Sequence, residues 1–256
     1  MSNKPFRVRQ KGAMLQSQPR ATPSRDSPLK RLPSRLRGLL TRKALTQAGL
    51  VAALLALCTV YTAGLNDNAA AVVAAKRELP IYSVEHDDKV ISISFDASWG
   101  ADKTLSLLDI LDEHNVKTTF FLVGGWVDKY PDMVQAIVAR GHEIGNHSNT
   151  HPHMNALGEQ AIRDELRMMS DKVENLTGVR PTLFRPPYGE YNNRVVQVAR
   201  QEGYEVVQWS IDSLDWKDLS AQEILSRVNK SVQNGSILLC YNNSKHILDA
   251  LPLVLE

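Results

Sequence analysis

Cysteine is nearly missing from this chain of 256 residues: Cys58 lies in an apolar run, Cys240 lies near the C-terminal end, and there is no other. That count excludes a disulfide framework, and two isolated thiols say nothing of the redox compartment. Acidic residues are almost absent from one end. Residues 1–43 hold twelve Lys or Arg against Asp26 alone, which leaves 18 basic and 27 acidic residues, a net −9, in a chain whose formal net charge is +2. The basic character therefore belongs to the tail. Rich in Pro, Ser and Arg, and without apolar periodicity to offset the entropy of ordering, the tail reads as disordered. It also lacks interleaved aromatics and a folded basic module beside it, so no nucleic-acid partner is expected. A glycine-rich phosphate loop is missing as well. After the first predicted strand stands Asp96-Ala97-Ser98-Trp99-Gly100, which disfavours a dinucleotide-binding fold.

What is present is globular in composition, with 43% hydrophobic and 23% charged residues. Residues 44–65 form an uncharged stretch long enough as a helix to cross roughly 30 Å of hydrocarbon. The basic flank before it places the tail in the cytoplasm and everything after Asn66 outside, as a single-pass anchor. A cleaved signal peptide is the rival reading, disfavoured by the length of its n-region. Residues 66–86 read as a linker. From Lys89 onward, strand-like runs at 90–95, 118–123, 143–146, 183–184, 205–209 and 236–239 alternate with helical patterns near 102–114, 131–140, 159–177, 192–202 and 220–233. This βα alternation implies a parallel sheet, and the missing phosphate loop favours a barrel over an open doubly wound sheet.

Barrels carry their chemistry at the C-terminal ends of the strands. There the sequence places Asp96, then His147 and His151, then Arg185, then Asp212 and Asp215, then Tyr241. Polar groups scattered over some 150 residues would meet at one mouth. Strand parity agrees, because Ile91, Ile93 and Phe95 share one face while Ser92, Ser94 and Asp96 share the other. The two imidazoles, four residues apart just before Pro152, can converge on one ion from a single tight turn, although His153 blurs which of them count. A divalent metal there would lower the pKa of water toward about 7, with Asp96 as the base and Arg185 as its orienter. The Tyr188 N–H in Arg185-Pro186-Pro187-Tyr188-Gly189 can face a developing oxyanion, and Tyr188 and Trp216 can floor a sugar subsite. A two-carboxylate glycosidase explains the histidines poorly.

In series, Ser94-Phe95-Asp96, His147-Ser148-Asn149-Thr150-His151, Arg185-Pro186-Pro187-Tyr188-Gly189, Asp212-Ser213-Leu214-Asp215-Trp216 and Gly235-Ser236-Ile237-Leu238-Leu239 resemble the five ordered motifs of the polysaccharide deacetylases, the NodB homology domain or carbohydrate esterase family 4. The resemblance covers about residues 88–256. Asp96 to Gly100 and the run from Asn242 to Pro252 look most like the membrane-anchored sporulation subgroup. The resemblance implies a distorted (β/α) barrel within residues 87–256, and metal-dependent hydrolysis of N-acetyl groups from a cell-wall N-acetylhexosamine polymer such as peptidoglycan or chitin. It implies Asp96 as base, His147 and His151 as ligands of zinc (or cobalt), Arg185 and Asp215 as tuning residues, and Tyr188, Trp216 and Leu239 lining the acetyl and sugar pocket.

Three departures accompany it. Ala97 stands where many members carry a second aspartate as third metal ligand, with Glu143 as a remote substitute. Tyr241 stands where the family's last motif ends in a histidine acting as general acid; a phenol of pKa about 10 is a poorer match than imidazole, and His246 could compensate only if its loop folded back. The chain also stops at Glu256, where the family continues into a further strand, so a C-terminally truncated barrel with an unpaired edge is expected. The leading expectation is a membrane-anchored deacetylase facing the cell wall. A degenerate glycan-binding module of the same fold is the alternative.

Overall fold

The computed structural model describes residues 34–73 and 77–256; most of the basic tail expected at 1–43 lies outside the described residues, as do 74–76 of the expected linker. The chain divides into two units, residues 1–75 and 76–256. In the first, helix α1 (Ser34–Val73) runs for 40 residues and extends beyond the apolar stretch at both ends. Within it Arg42–Thr62 is long and apolar enough to cross a membrane, by length and composition.

The second unit is built on seven parallel strands, β1 (Ser92–Ala97), β2 (Thr119–Leu122), β3 (Glu143–Asn146), β4 (Leu183–Phe184), β5 (Glu205–Val206), β6 (Ile211–Asp212) and β7 (Ile237–Tyr241), in the order β5-β4-β3-β2-β1-β7-β6. Around them lie α2 (Thr104–Glu113), α3 (Gly124–Lys129), α4 (Pro131–Ala139), α5 (Glu159–Thr177), α6 (Asn193–Gln201), α7 (Ala221–Ser231) and α8 (Ile247–Leu255). Period-two alternation sorts β1 as expected. Ile93, Phe95 and Ala97 pack in the apolar layer with Leu107, Leu108 and Leu111 of α2, whereas Ser94 and Asp96 turn inward to bond Arg185. The interior holds little space: a Cβ on Gly145 would come within 2.4 Å of the Phe121 ring.

The expected strand at 205–209 is cut short at Val206, and β6, a strand not expected, lies beyond its end. The backbone leaves β4 after Val206 and re-enters the sheet beside β7 at Ile211, so residues 207–210 join the two edges of the sheet and the sheet curls into a distorted (β/α) barrel. A strap from the segment before β1 covers part of the gap. Ile81 bridges to Val207 and Ser83 to Ser236, with Ile81 N–H donating to Val206 O at 2.8 Å and Gln208 N–H to Ile81 O at 2.7 Å.

Helices α3 and α8 were not foreseen. The Gly124-Gly125 pair reads as a breaker, yet α3 forms because Trp126 and Val127 are buried and the two glycine N–H groups donate to Ser148 O (3.0 Å) and Asn149 O (3.1 Å). In α8, burial of Ile247, Ala250 and Leu251 outweighs the hydrogen bond that Pro252 cannot make.

Candidate active site

Asp96, at the end of β1, is 4% exposed and carries the arrangement. Its Oδ1 accepts from Arg185 Nη1 at 2.7 Å, and its Oδ2 stands 3.5 Å from His147 Nε2. Arg185 follows β4 and is wholly buried, below the rim where its strand position had put it. Its other amino group, Nη2, donates to Ser94 Oγ (2.8 Å) and Gln208 O (3.2 Å), while the guanidinium lies 4.0 Å over the Phe121 ring. A cation this deep is tolerated because both amino groups are matched, one of them by the Asp96 carboxylate, and an aromatic face covers it, although among the described residues Nε has no acceptor.

The histidines sit on a turn and not on a helix. Ser148 and His151 adopt left-handed φ of 67° and 60°, costly for residues with a Cβ. Three grips hold that turn. Ser148 Oγ accepts from His151 N–H at 2.9 Å, α3 donates to its carbonyls from below, and Glu165 of α5 closes it from outside. One carboxylate oxygen of Glu165 accepts the N–H groups of Asn149 and Thr150, each at 2.8 Å, and the other accepts Thr150 Oγ1 at 2.7 Å. Nothing local in the sequence singled out Glu165; it is one acid among several on an amphipathic helix. Gly124 must be glycine for the same packing, since a Cβ there would fall 2.2 Å from Asn149 Oδ1.

His147 and His151 have ring centroids 5.0 Å apart. His153 does not join them: it stacks on Tyr188 at 4.4 Å, with Nδ1 3.0 Å from Glu190 Oε2. Burial lowers the pKa of His147, and burial followed by the neighbouring His147 lowers that of His151 to about 4, so both rings are neutral at ordinary pH. His147 Nδ1 lies 2.7 Å from Arg185 O, which can only accept; the ring proton is therefore on Nδ1, and the Nε2 lone pair faces Asp96. Two acceptors opposed across 3.5 Å repel unless a cation or a proton stands between them. The donors thus fit a divalent ion held by neutral imidazoles beside a carboxylate, completed by water. Among the described residues no three His, Cys, Asp or Glu are gathered with ligand geometry. Ala97 is wholly buried in the apolar layer and supplies no third ligand. Glu143, at the opposite end of β3, is exposed and accepts from Thr119 Oγ1 at 2.6 Å, which rules it out as a substitute.

A cavity of about 440 Å³ opens over this group, walled by Tyr188, Trp209, Asp212, Trp216 and Tyr241 with Asp96 and the two imidazoles. Leu239 is wholly buried and does not reach the wall. Asp215 is also wholly buried, beneath Tyr241: its Oδ2 accepts from Tyr241 N–H at 3.0 Å and from Ser244 Oγ at 2.8 Å, its Oδ1 has no partner among the described residues, and burial raises its pKa. Burial raises the pKa of Asp212 as well, whose Oδ1 accepts from Leu214 N–H at 2.9 Å. Tyr241, half-buried at the end of β7, has its pKa raised by burial and then by Asp96. His246 heads α8 with Nδ1 3.8 Å from Asp249, away from the cleft. At Tyr188, φ is 59°, and among the described residues its N–H donates to no acceptor.

Residues 83–207 match the family model for polysaccharide deacetylase. A peptidoglycan-N-acetylglucosamine deacetylase of Bacillus cereus is 35% identical over 158 residues, covering 62% of this chain and 58% of that one. Among solved structures, a CE4 family pseudoenzyme from Bacillus anthracis superposes with a TM-score of 0.67 at 33% identity, covering 69% of this chain and 63% of that one; a mutant of it is described as having restored enzymatic activity. A peptidoglycan N-acetylglucosamine deacetylase superposes with a TM-score of 0.66 at 32% identity, covering 68% of this chain and 84% of that one. The chain spans between half and three-fifths of the length of the first curated relatives it matches, 51% and 58%.

Proposed function

Because the chain belongs to the polysaccharide deacetylase family, we propose that it hydrolyses N-acetyl groups on an N-acetylhexosamine polymer of the cell wall, and that α1 holds it at the membrane with residues 77–256 on the outer side. The observation that carries this reading is the buried contact of Asp96 with both Arg185 and His147, His151 standing beside them. His147 and His151 would hold a divalent ion, zinc or cobalt, which when bound supplies Lewis-acid chemistry at neutral pH.

The chain's own groups do the rest. Asp96 takes a proton from the attacking water, and Arg185, itself pinned by Ser94 and Gln208, keeps that carboxylate aimed. Tyr188 N–H, free of other acceptors among the described residues, meets the negative charge that develops on the acetyl oxygen. Water adds to the carbonyl carbon, the C–N bond breaks, and the amine leaves with a proton from Tyr241. That last transfer is the weak link, because burial raises the pKa of a phenol that is already a poor acid, and general-acid catalysis typically contributes about 10²–10⁴-fold. Asp215 acts through Tyr241, fixing its backbone from below. Trp216 and Tyr188 floor the sugar subsite.

A second reading draws on Tyr241, Ala97 and the likeness to a pseudoenzyme: a groove that binds the glycan without turnover. The test is acetate release by the full chain in mild detergent, with zinc or cobalt and an acetylated oligosaccharide. Hydrolysis predicts slow release that His147→Ala abolishes and Tyr241→His accelerates. Tight oligosaccharide binding with no acetate from either the wild type or Tyr241→His would refute hydrolysis and establish the binding module.

A further inference from the structure

Residues 207–210 cross the gap between the two edges of the sheet, and Gln208 stands in that crossing, 2% exposed. A glutamine this deep is costly unless its polar groups are met. Three of them are met, each by a different part of the chain. The backbone N–H donates to Ile81 O of the strap at 2.7 Å, and the backbone carbonyl accepts from Arg185 Nη2 at 3.2 Å. The side-chain Nε2 donates to Gly189 O at 3.0 Å. The strap thus fixes where the backbone of Gln208 lies, that backbone steadies the arginine behind Asp96, and the side chain reaches on to the turn that carries Tyr188.

That turn needs holding. Tyr188 and Gly189 take consecutive left-handed φ of 59° and 67°, a strained conformation for Tyr188 with its Cβ. Within the turn Gly189 N–H donates to Pro186 O and Glu190 N–H to Pro187 O, both at 3.1 Å. Those bonds shape the turn without fixing where it sits against the barrel. Two consecutive residues of the crossing do that: Gln208 hooks the Gly189 carbonyl, and the Trp209 ring packs so closely that a Cβ on Gly189 would lie 2.8 Å from it. Only the φ and ψ of Tyr188 and Gly189, both residues of the cleft wall, separate the hooked carbonyl from the Tyr188 N–H.

We propose that Gln208 is a positioning residue for hydrolysis: seated by the strap, it sets the Tyr188 N–H against the acetyl oxygen through its bond to Gly189 O. This rests on the reading that the cleft hydrolyses N-acetyl groups, and it adds a residue that acts through another. Its effect belongs to the transition state, because the charge that the N–H meets is not yet present on the bound substrate.

Gln208→Met keeps the length of the side chain and removes the donor; Gln208→Leu is the second variant. Zinc-loaded full chain in mild detergent is titrated by calorimetry with two ligands of equal length. One is a neutral N-acetylglucosamine oligomer; the other has one acetamide replaced by a tetrahedral, negatively charged methylphosphonamidate. The wild type is expected to bind the phosphonamidate the more tightly. Gln208→Met should bind it about tenfold more weakly than wild type does, less than the roughly 10²–10³ lost when an oxyanion donor is deleted outright, and should hold the neutral oligomer within about twofold. In acetate release kcat should fall about tenfold with KM within about twofold. The ratio of the two affinities decides the matter even where turnover is too slow to measure. A residue that merely filled the interior would lower Tm and leave that ratio unchanged, which overturns the proposal, as does failure of both variants to fold. A wild type that binds the two oligomers alike has no working oxyanion site, which overturns the proposal and leaves a glycan groove. One that binds neither overturns the underlying reading of the cleft, and the proposal with it.

Discussion

Replacing Arg185 with methionine removes the guanidinium that faces Asp96 while keeping most of the volume of the side chain. Three donated hydrogen bonds go at once, to Asp96 Oδ1, Ser94 Oγ and Gln208 O, and so does the contact with the Phe121 face. Water cannot enter to compensate, because Arg185 is wholly buried and Asp96 is 4% exposed. Breaking a buried ion pair from one side costs about 3–5 kcal/mol, since the remaining charge is left in a poorly solvating site. With a urea m-value of about 2 kcal/mol per molar, the unfolding midpoint should fall by roughly 2 M. Adding Asp96→Asn removes the stranded carboxylate, so the double variant should be more stable than Arg185→Met alone by about 2 kcal/mol or more, a coupling that a double-mutant cycle reads directly. Urea titration of the full chain in mild detergent, followed by far-ultraviolet circular dichroism, measures all four proteins. A loss below about 1 kcal/mol in Arg185→Met, or additive effects in the double variant, would mean that the pair does not hold the interior as argued.

Two further outcomes follow from groups around the site. Glu165→Ala removes the three acceptor contacts that close the histidine turn; the chain should lose about 1–2 kcal/mol, a fall of roughly 3–6 °C in Tm, and acetate release should drop at least about tenfold, whereas a full loss of stability with full activity would show that the turn needs no clamp. Asp215→Asn addresses pH: burial raises the folded pKa above the ordinary 3.8, so the folded chain keeps a proton that the unfolded chain has released, and the stability this group contributes is greatest below pH 3.8 and declines as pH rises toward the raised value. Asparagine keeps an acceptor for Tyr241 N–H and Ser244 Oγ without that decline, so the difference in Tm, variant minus wild type, should grow more positive from about pH 4 upward. A difference independent of pH contradicts the assignment.

Much of the site was legible before any coordinates. Parity in β1 put Ser94 and Asp96 on the inner face and Phe95 among the helices, and the βα alternation placed Asp96, His147, Tyr188, Asp212 and Tyr241 at one end of the sheet. Burial depth was not legible. Arg185 and Asp215 read as rim residues and are interior ones, Leu239 read as pocket lining and is packed beneath the surface, and Glu143 shares a strand with the histidine turn but lies at its other end. Strand position gives a side chain's direction, whereas depth depends on how much neighbouring structure is stacked over it.

Alone, the sequence determined the order of the chemistry-bearing residues along the strands, the face each takes, and an apolar helix ahead of the barrel, because these follow from periods of two and 3.6 residues and from run length. The tertiary structure decided which imidazoles share a cleft with Asp96, that Arg185 is its buried partner, that Glu165 clamps the turn, and that residues 207–210 with the strap at Ile81 draw the sheet round on itself. Those are distances between groups tens of residues apart, set by packing of the whole sheet and its helices, and no local pattern carries them.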